Sequence, residues 1–320
     1  MTIGYRGGVS IGELVVYSPA LLIAIYLSIR HGFGRSAGWM FLIIFCLARI
    51  IGAAMQLATI SSPTNTGLYT GYAILQNVGL SPLMLATLGL LSRLLDNINR
   101  THQTAISTRL FKLVELIIMV GLILGIVGGV NASNDYVKTG IFIPSSLNKA
   151  GTSLFIVSYI AIVISTILLS FSVSHASHGE KRILFAVALS LPFLLVRLVY
   201  SIISTFTKNK NFNLMTGSIT ILLCVAFIEE LIIAILFEGV GLTLSQIPKD
   251  TMYEGAPMLY GADGIPHTDP TPQSVPSGAG NRALKIFRMT IIGRIVMAFI
   301  PSKDSDIEAQ KQYARRMGRV

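Results

Sequence analysis

The sequence predicts an all-α fold, a bundle of seven transmembrane helices. Hydrophobic residues make up 52% of the chain and charged residues only 12%, whereas about a quarter of the residues of a soluble domain are charged. The mean hydropathy is +0.68. Apolar windows of roughly 19 residues recur along the chain, and such windows cross a bilayer as helices. Only a helix satisfies every backbone polar group within a single segment of that length.

Seven windows of this kind follow one another along most of the chain. They cover residues 11–29, 38–58, 69–91, 112–130, 152–172, 183–205 and 214–237. The first window has no small-residue cleavage site after it, so it is predicted to be a retained span and not a removable signal peptide. The transmembrane domain is therefore predicted to occupy residues 1–240. We expect an integral protein of the plasma membrane or of an endomembrane, in contact with membrane lipids.

Basic residues in short loops predict the orientation of the spans. The loops after windows one, three and five carry eight basic residues, whereas the amino terminus and the remaining loops carry five. This bias predicts that the amino terminus lies outside and the carboxyl terminus in the cytoplasm. The N-glycosylation acceptors test the orientation, because Asn131 should face the exterior or the lumen and Asn99 should face the cytosol.

The chain after the seventh window is predicted to contain two further segments. Residues 241–281 are rich in Pro, Gly and Ser over most of their length and predict a flexible linker. Residues 282–320 form a basic juxtamembrane tail, whose first part either lies on the inner leaflet or is a simple basic extension. The net charge of +10 therefore indicates topology and attraction to anionic lipids, and no nucleic-acid partner is expected.

Ionisable residues inside the apolar windows are the main candidates for a functional site, because an unpaired charge in hydrocarbon is costly. Arg49 lies near the centre of the second window, Arg197 in the sixth, and the adjacent Glu229 and Glu230 in the seventh. At ~1.5 Å per residue all four lie within ~7 Å of the midplane, so we expect the arginines to neutralise the glutamates. Neighbouring helical residues project about 100° apart, so the two glutamates cannot share every partner.

Polar side chains in the outer half of the windows extend this predicted intramembrane network. We expect it to comprise Arg49, Gln56, Gln76, Asn77, Arg197, Tyr200, Glu229 and Glu230, lining a polar cavity. Two interpretations remain open: an ion network that fixes helix packing, and a pathway for a substrate or a proton. Glu13, Glu115 and Glu238 lie towards the ends of their windows, where they are expected to reach the interface.

Small residues and prolines predict local features of the bundle. Gly121, Gly125 and Gly129 recur at four-residue spacing in the fourth window, a pattern that permits close helix contact within the bundle or between subunits of an oligomer. Pro82 in the third window and Pro192 in the sixth are expected to kink or break their helices.

Cofactor chemistry has little support in the sequence. His175 and His178 in "HASH" are spaced as two ligands of a zinc-dependent membrane hydrolase would be, but acids and histidines at matching depth in the windows are missing. No metal or other cofactor is expected. Phosphate-binding glycine loops, nucleotide-binding fingerprints and nucleophile elbows are not recognised either, and no catalytic residue is assigned.

A short motif of the sixth window carries a family resemblance. The residues concerned are Arg197 and Tyr200 in "RLVYS", together with Glu229 or Glu230 in the seventh window. With seven spans, this pattern resembles the fungal lipid-translocating-exporter-like family and, more closely, a related set of fungal seven-helix proteins. The exporter-like proteins have an arginine and an acid where this chain has Ser201 and Ser204. The resemblance covers about residues 10–240 and implies an association with lipids or toxic amphiphiles.

The leading functional hypothesis is a membrane protein that binds, senses or moves an amphiphilic small molecule or lipid through a polar interior cavity. A second hypothesis is a membrane-embedded enzyme. In it, Glu229, Glu230 or Glu115 would be protonated and would donate the proton to a polyene or an epoxide, in a manner similar to the small membrane-bound terpene cyclases of fungi. A receptor role is a third possibility that seven spans alone do not distinguish.

Overall fold

The computed structural model describes residues 4–31, 37–101, 108–139, 143–173, 179–207 and 219–244, and its regular structure there is helical. The helices are α1 (Tyr5–His31), α2 (Ala37–Ser61), α3 (Thr66–Val78), α4 (Leu80–Thr101), α5 (Thr108–Thr139), α6 (Ser146–Ser172), α7 (Lys181–Phe206), α8 (Ile219–Leu222) and α9 (Ile228–Thr243). A π-helical turn, Leu223–Phe227, connects α8 to α9.

Seven helical segments among the described residues are long and apolar enough to cross a membrane. They are Tyr5–His31, Gly38–Ser61, Thr66–Asn99, Thr108–Asp135, Ser146–Ser172, Lys181–Phe206 and Thr220–Thr243. The third span combines α3 and α4, and the seventh combines α8, the π-helical turn and α9. The predicted all-α, seven-helix membrane fold is confirmed, and the chain is an integral membrane protein.

Two of the acids expected at the interface are buried instead. α9 continues to Thr243, beyond the predicted end of the seventh window, so Glu238 lies inside the span and is only 5% exposed. α1 begins at Tyr5, so Glu13 lies more than two turns inside the helix and is 1% exposed. Both differences arise because a hydropathy window ends at polar residues, whereas the helix continues through them.

The predicted domain boundary at residue 240 falls inside α9, and residues 1–247 form one compact unit. Residues 245–320, which carry most of the predicted linker and the basic tail, lie outside the described residues. So do His102, His175, His178 and His267.

α4 is the central helix of the bundle. In the third span, 83% of the apolar window is buried, compared with 28% to 44% in the other spans. α4 packs against α2, α5, α6, α7 and α9. By contrast, large apolar side chains on the outer faces of α1, α5 and α6 are exposed, as expected of surfaces that face lipid; examples are Leu22, Leu116 and Phe171.

The third span is interrupted where proline was expected to disturb it. α3 ends at Val78 and α4 begins at Leu80. Pro82 has no N–H to offer the carbonyl of Val78, and the hydroxyl of Ser81 donates a hydrogen bond to this carbonyl instead, at 2.9 Å. The sixth span behaves differently, because α7 continues through Pro192.

Glycines allow α5 to approach its neighbours closely. A Cβ added to Gly151 of α6 would lie only 2.8 Å from the carbonyl oxygen of Gly121, and one added to Gly129 would lie 3.0 Å from Ile74 of α3. Gly121 and Gly129 therefore make packing contacts within the chain, whereas a Cβ added to Gly125 would meet nothing within 4 Å.

Candidate functional site

Gln76, on α3, is the hub of a buried polar network. Its side-chain oxygen accepts a hydrogen bond from Nη1 of Arg49 on α2. Its backbone carbonyl accepts another from Nη2 of Arg197 on α7, at 2.8 Å. Its side-chain amide donates to Oε1 of Glu13 on α1, at 3.1 Å. A single glutamine, 3% exposed, therefore connects three other helices.

Glu230, on α9, is the anion that both arginines contact. Its Oε1 accepts a hydrogen bond from Nε of Arg197 at 2.6 Å, and its Oε2 forms an ion pair with Nη2 of Arg49. The Glu230 side chain is 0% exposed and the two arginine side chains are each 1% exposed. Ser201 accepts a further hydrogen bond from Nη1 of Arg197 at 2.8 Å.

These contacts join five of the seven spans. We call the connected residues the central polar network: Glu13, Arg49, Gln76, Arg197, Ser201 and Glu230. Because hydrocarbon offers no alternative partners to buried polar groups, the pairing fixes the rotation of each helix that contributes to it. α5 and α6 contribute no residue to this network and pack beside it, against α3, α4 and α7.

Aromatic rings and a glycine surround the two guanidinium groups. The Arg49 guanidinium lies 5.7 Å from the ring centroid of Phe45, and that of Arg197 lies 5.5 Å from the ring centroid of Tyr200, within the range of cation–π attraction. Gly79, at the junction of α3 and α4, lies against the Arg49 guanidinium, and a Cβ at this position would collide with it.

The π-helical turn Leu223–Phe227 helps to determine which of the two adjacent glutamates contacts the arginines. A π-turn holds more residues than an α-turn, and each additional residue rotates the following helix by about 100°. In this register Glu230 is fully buried and pairs with both arginines, whereas Glu229 is half-buried. Among the described contacts, none joins Glu229 to either arginine.

The remaining predicted site residues have other surroundings. Gln56 donates a hydrogen bond to Thr59 within α2, at 3.3 Å. Asn77 lines a small cavity of about 20 Å³, with Ser133, Asn148 and Ser204 among its other lining residues, which is room for about one water molecule. The structure therefore brings Arg49, Gln76, Arg197 and Glu230 together, places Tyr200 beside them, and leaves Gln56, Asn77 and Glu229 outside these contacts.

A larger cavity, of about 190 Å³, lies between α4 and α5 with Phe41 of α2 at its side. We call it the α4–α5 groove. Its walls carry apolar side chains, and its charged residues have both signs. The lining residues are Phe41, Leu85, Leu88, Gly89, Ser92, Arg93, Asp96, Thr108, Phe111, Lys112 and Glu115. From Leu85 to Asp96 one face of α4 changes from apolar to charged over ~16 Å.

Arg93 also belongs to a second ion cluster, at the end of the bundle where α1, α4 and α9 end and α7 begins. Its Nη2 donates to Oε1 of Glu180 at 2.7 Å, and its Nε lies 3.2 Å from Oε2. Nη1 of Arg93 lies 3.3 Å from Nδ1 of His31, while Nε2 of His31 lies 3.0 Å from the carbonyl of Gly241. We call Arg93, Glu180, His31 and Trp39, which stacks on His31 at 5.8 Å, the Arg93 cluster.

Sequence reasoning missed Glu13 and the Arg93 cluster for different reasons. Glu13 and Gln76 were both expected in the outer half of their windows, so matching their depths would have paired them. Arg93 and Glu180 lie at the ends of windows, where charged residues are ordinary, and no signal in the sequence distinguishes them from solvated loop residues. In the described part of the chain no group of three or more His, Cys, Asp or Glu residues could hold a metal ion.

Comparison with known proteins identifies a family. No curated protein matches the sequence, and no solved structure matches it. The sequence model described as "Domain of unknown function (DUF7702)" matches residues 3–247, a stretch that includes all seven spans. The chain therefore belongs to the DUF7702 family.

Proposed function

We propose that this membrane protein binds an amphiphilic small molecule or lipid in the α4–α5 groove. The observation that carries the proposal is the composition of the groove, which places Phe41, Leu85 and Leu88 beside Arg93 and Lys112. Apolar walls with a few charged groups are typical of sites that bind and orient small ligands. A molecule with a charged headgroup and a hydrocarbon chain matches this distribution.

The size of the groove indicates how such a ligand would be held. Its volume of about 190 Å³ is below the ~300–1,000 Å³ that encloses a whole drug-sized ligand. The groove would therefore hold the headgroup and the first part of the chain, with the rest of the chain in the bilayer. Membrane lipids and lipid-like amphiphiles have this form.

The central polar network has no exposed surface for a ligand, and this supports placing the ligand in the α4–α5 groove instead. The Glu230 carboxylate is 0% exposed and each of its oxygens contacts a guanidinium group, which leaves no surface for a substrate. Its role in the proposal is to hold five spans in register beside the groove. The cavity expected around Gln56, Gln76 and Tyr200 is replaced in the proposal by the α4–α5 groove.

A photoactivatable lipid analogue tests the proposal in phosphatidylcholine nanodiscs. We expect cross-links to map to the lining residues of α4 and α5. Ser92→Phe, which fills the groove, should reduce this labelling by at least about tenfold, a loss of ~1.4 kcal/mol of binding. Leu116→Phe is the matched control, because Leu116 is on α5 but 63% exposed on its outer face. Equal labelling of both variants, or labelling spread over the outer surfaces, would contradict the proposal.

The position of Glu115 favours a second candidate function, an enzyme that uses acid catalysis. Of the three glutamates considered for this role, Glu115 lines the groove and is half-buried, so it is placed to donate a proton to a bound polyene or epoxide. Product formation by purified membranes, lost in Glu115→Gln while photolabelling persists, would establish this chemistry. Labelling of the wild-type protein without any product would exclude it for the substrates tried.

A further inference from the structure

Arg93 connects the α4–α5 groove to the end of the bundle. It lines the groove, yet its guanidinium is held by Glu180 in a two-oxygen contact, with distances of 2.7 Å to 3.3 Å. Both side chains are largely buried, with 3% and 8% exposed. A guanidinium binds a carboxylate or a phosphate through the same pair of parallel hydrogen bonds. Glu180 therefore occupies the surface of Arg93 that an anionic headgroup would need.

The Arg93 cluster and its contact with Gly241 connect five helices, α1, α2, α4, α7 and α9. Glu180 lies on the turn directly before α7, and His31 is the last residue of α1. His31 contacts the carbonyl of Gly241 near the end of α9, and Arg30 donates to the carbonyl of Leu242 at 3.0 Å. Removing Glu180 from Arg93 would therefore break the ion pair between α7 and α4 at this end and change the surroundings of His31.

Charge favours an anionic ligand at this end. The described basic residues here are Arg30, Arg93, Arg109, Lys112, Lys181 and Arg182, and the acids are Asp96, Glu115, Glu180 and Glu238. A positive excess attracts anions and opposes cations. Glu180, at the polar end of the bundle, can be hydrated after its release, so exchange by a headgroup leaves no unpaired buried charge.

We propose that the ligand of the groove is an anionic amphiphile, with a phosphate or carboxylate headgroup that displaces Glu180 from Arg93 and thereby loosens the Arg93 cluster. This inference rests on the proposed function, since it names the ligand class and the response of the same groove. The exchange makes no covalent bond. It converts occupancy of the groove into a change in the contacts of α1, α7 and α9.

The single tryptophan of the chain reports on this change. Trp39 is the sole Trp in the sequence, is 0% exposed and stacks on His31 at a centroid distance of 5.8 Å. Because His31 contacts Arg93, replacing Glu180 by another anion on the guanidinium alters the environment of the indole. Intrinsic fluorescence therefore measures the Arg93 cluster without a label.

The experiment uses the full chain in phosphatidylcholine nanodiscs with three probes that share a twelve-carbon chain: dodecyl phosphate, dodecyl maltoside and dodecyltrimethylammonium. Binding is measured by competition with the photolabel, and the Arg93 cluster by Trp39 emission. We expect dodecyl phosphate to compete and to change the emission, and the other two probes to leave the emission unchanged. Inorganic phosphate alone should have no effect, whereas phosphatidylglycerol in the nanodisc should reproduce the dodecyl phosphate signal if membrane lipid is the source.

Variants separate the exchange from simple binding. Glu180→Gln removes the internal competitor, so dodecyl phosphate should bind about tenfold more tightly, with Trp39 emission already altered before the probe is added. Lys181→Gln, the neighbouring change, is the control and should shift neither affinity nor emission by a similar amount. His31→Phe keeps a ring against Trp39 but removes the contact with Arg93, so the probe should still bind while the emission no longer responds.

The outcomes are distinguishable. Competition by dodecyl phosphate without a change in Trp39 emission, together with unchanged affinity in Glu180→Gln, would overturn the exchange and leave the proposed function standing. Failure of any amphiphile to compete would overturn both. An equal response to inorganic phosphate, or a stronger one to the cationic probe, would overturn the assignment of an anionic amphiphile. If Glu180→Gln does not fold, the affinity of Glu180→Ser for dodecyl phosphate replaces it. The Trp39 emission of the wild-type protein tests the exchange independently of either variant.

Discussion

The Nε of Arg197 and the Oε1 of Glu230 lie 2.6 Å apart between α7 and α9, in side chains that are 1% and 0% exposed. Arg49 of α2 contacts the other carboxylate oxygen, so one acid serves two cations from different spans. A buried ion pair adds little net stability when it forms, but removal of one partner is costly, because the remaining charge is left buried and uncompensated. The pairing therefore specifies how these helices pack, and it is sensitive to single substitutions.

Glu230→Gln should strongly destabilise the bundle. The substitution keeps the shape of the side chain but leaves two buried guanidinium groups without their anion, which should cost about 3 to 5 kcal/mol. Thermal and denaturant unfolding of the purified protein in detergent micelles measures the change. Glu229→Gln is the matched control, because this neighbouring glutamate is half-buried and contacts neither arginine. A larger loss in Glu229→Gln would show that Glu229, and not Glu230, pairs with the arginines.

Gly79→Ala should displace the Arg49 side chain by steric contact. The added Cβ would occupy the place of the guanidinium, and because this group is held by Gln76 and Glu230, it cannot move without loosening those contacts. We expect a loss of about 1 to 3 kcal/mol, the usual cost of overpacking. In Gly125→Ala the new methyl group would meet nothing within 4 Å, so that control should be neutral or slightly stabilising. The same unfolding measurement applies, and equal stability of both variants would contradict the close contact at Gly79.

Gly151→Ala should separate α6 from α5. Its Cβ would meet the backbone oxygen of Gly121 at 2.8 Å and the backbone nitrogen of Gly125 at 3.2 Å, and backbone atoms cannot rotate away as a side chain does. The expected effect is a lowered melting temperature, with more rapid proteolysis of the connection between the two helices. Retention of wild-type melting behaviour would indicate that α5 and α6 are farther apart than described.

The orientation predicted from basic residues can be mapped with inserted glycosylation acceptors. An acceptor placed in the connection between α5 and α6 should be modified in microsomes, whereas one placed between α4 and α5 should not, because positively charged loops remain in the cytoplasm. Digestion with an endoglycosidase followed by electrophoresis reads out the result. Modification of the α4–α5 connection would invert the predicted topology and place the Arg93 cluster outside.

The spans and the helical fold followed from the sequence because hydropathy is summed over windows of roughly 19 residues. Such a sum tolerates errors at individual positions. The similar depths of Arg49, Arg197 and the two glutamates could also be predicted, since depth follows from the number of residues to the centre of the helix. The ends of the spans were less accurate, as Glu13 and Glu238 show, because polar residues at a helix end lower the hydropathy without ending the helix.

Tertiary structure alone decided which polar groups meet. Whether Glu230 or Glu229 faces the arginines depends on the rotation of α9, to which the π-helical turn before it contributes. The contact of the Gln76 carbonyl with Arg197 depends on how α3 and α7 pack. The position of Arg93, which lines the groove and also pairs with Glu180, depends on how α4, α5 and α7 pack. The sequence determined which segments cross the membrane and the approximate depth of their residues, because hydropathy and length are properties of each segment. Rotation and contact are properties of pairs of helices, and these were decided only when the bundle packed.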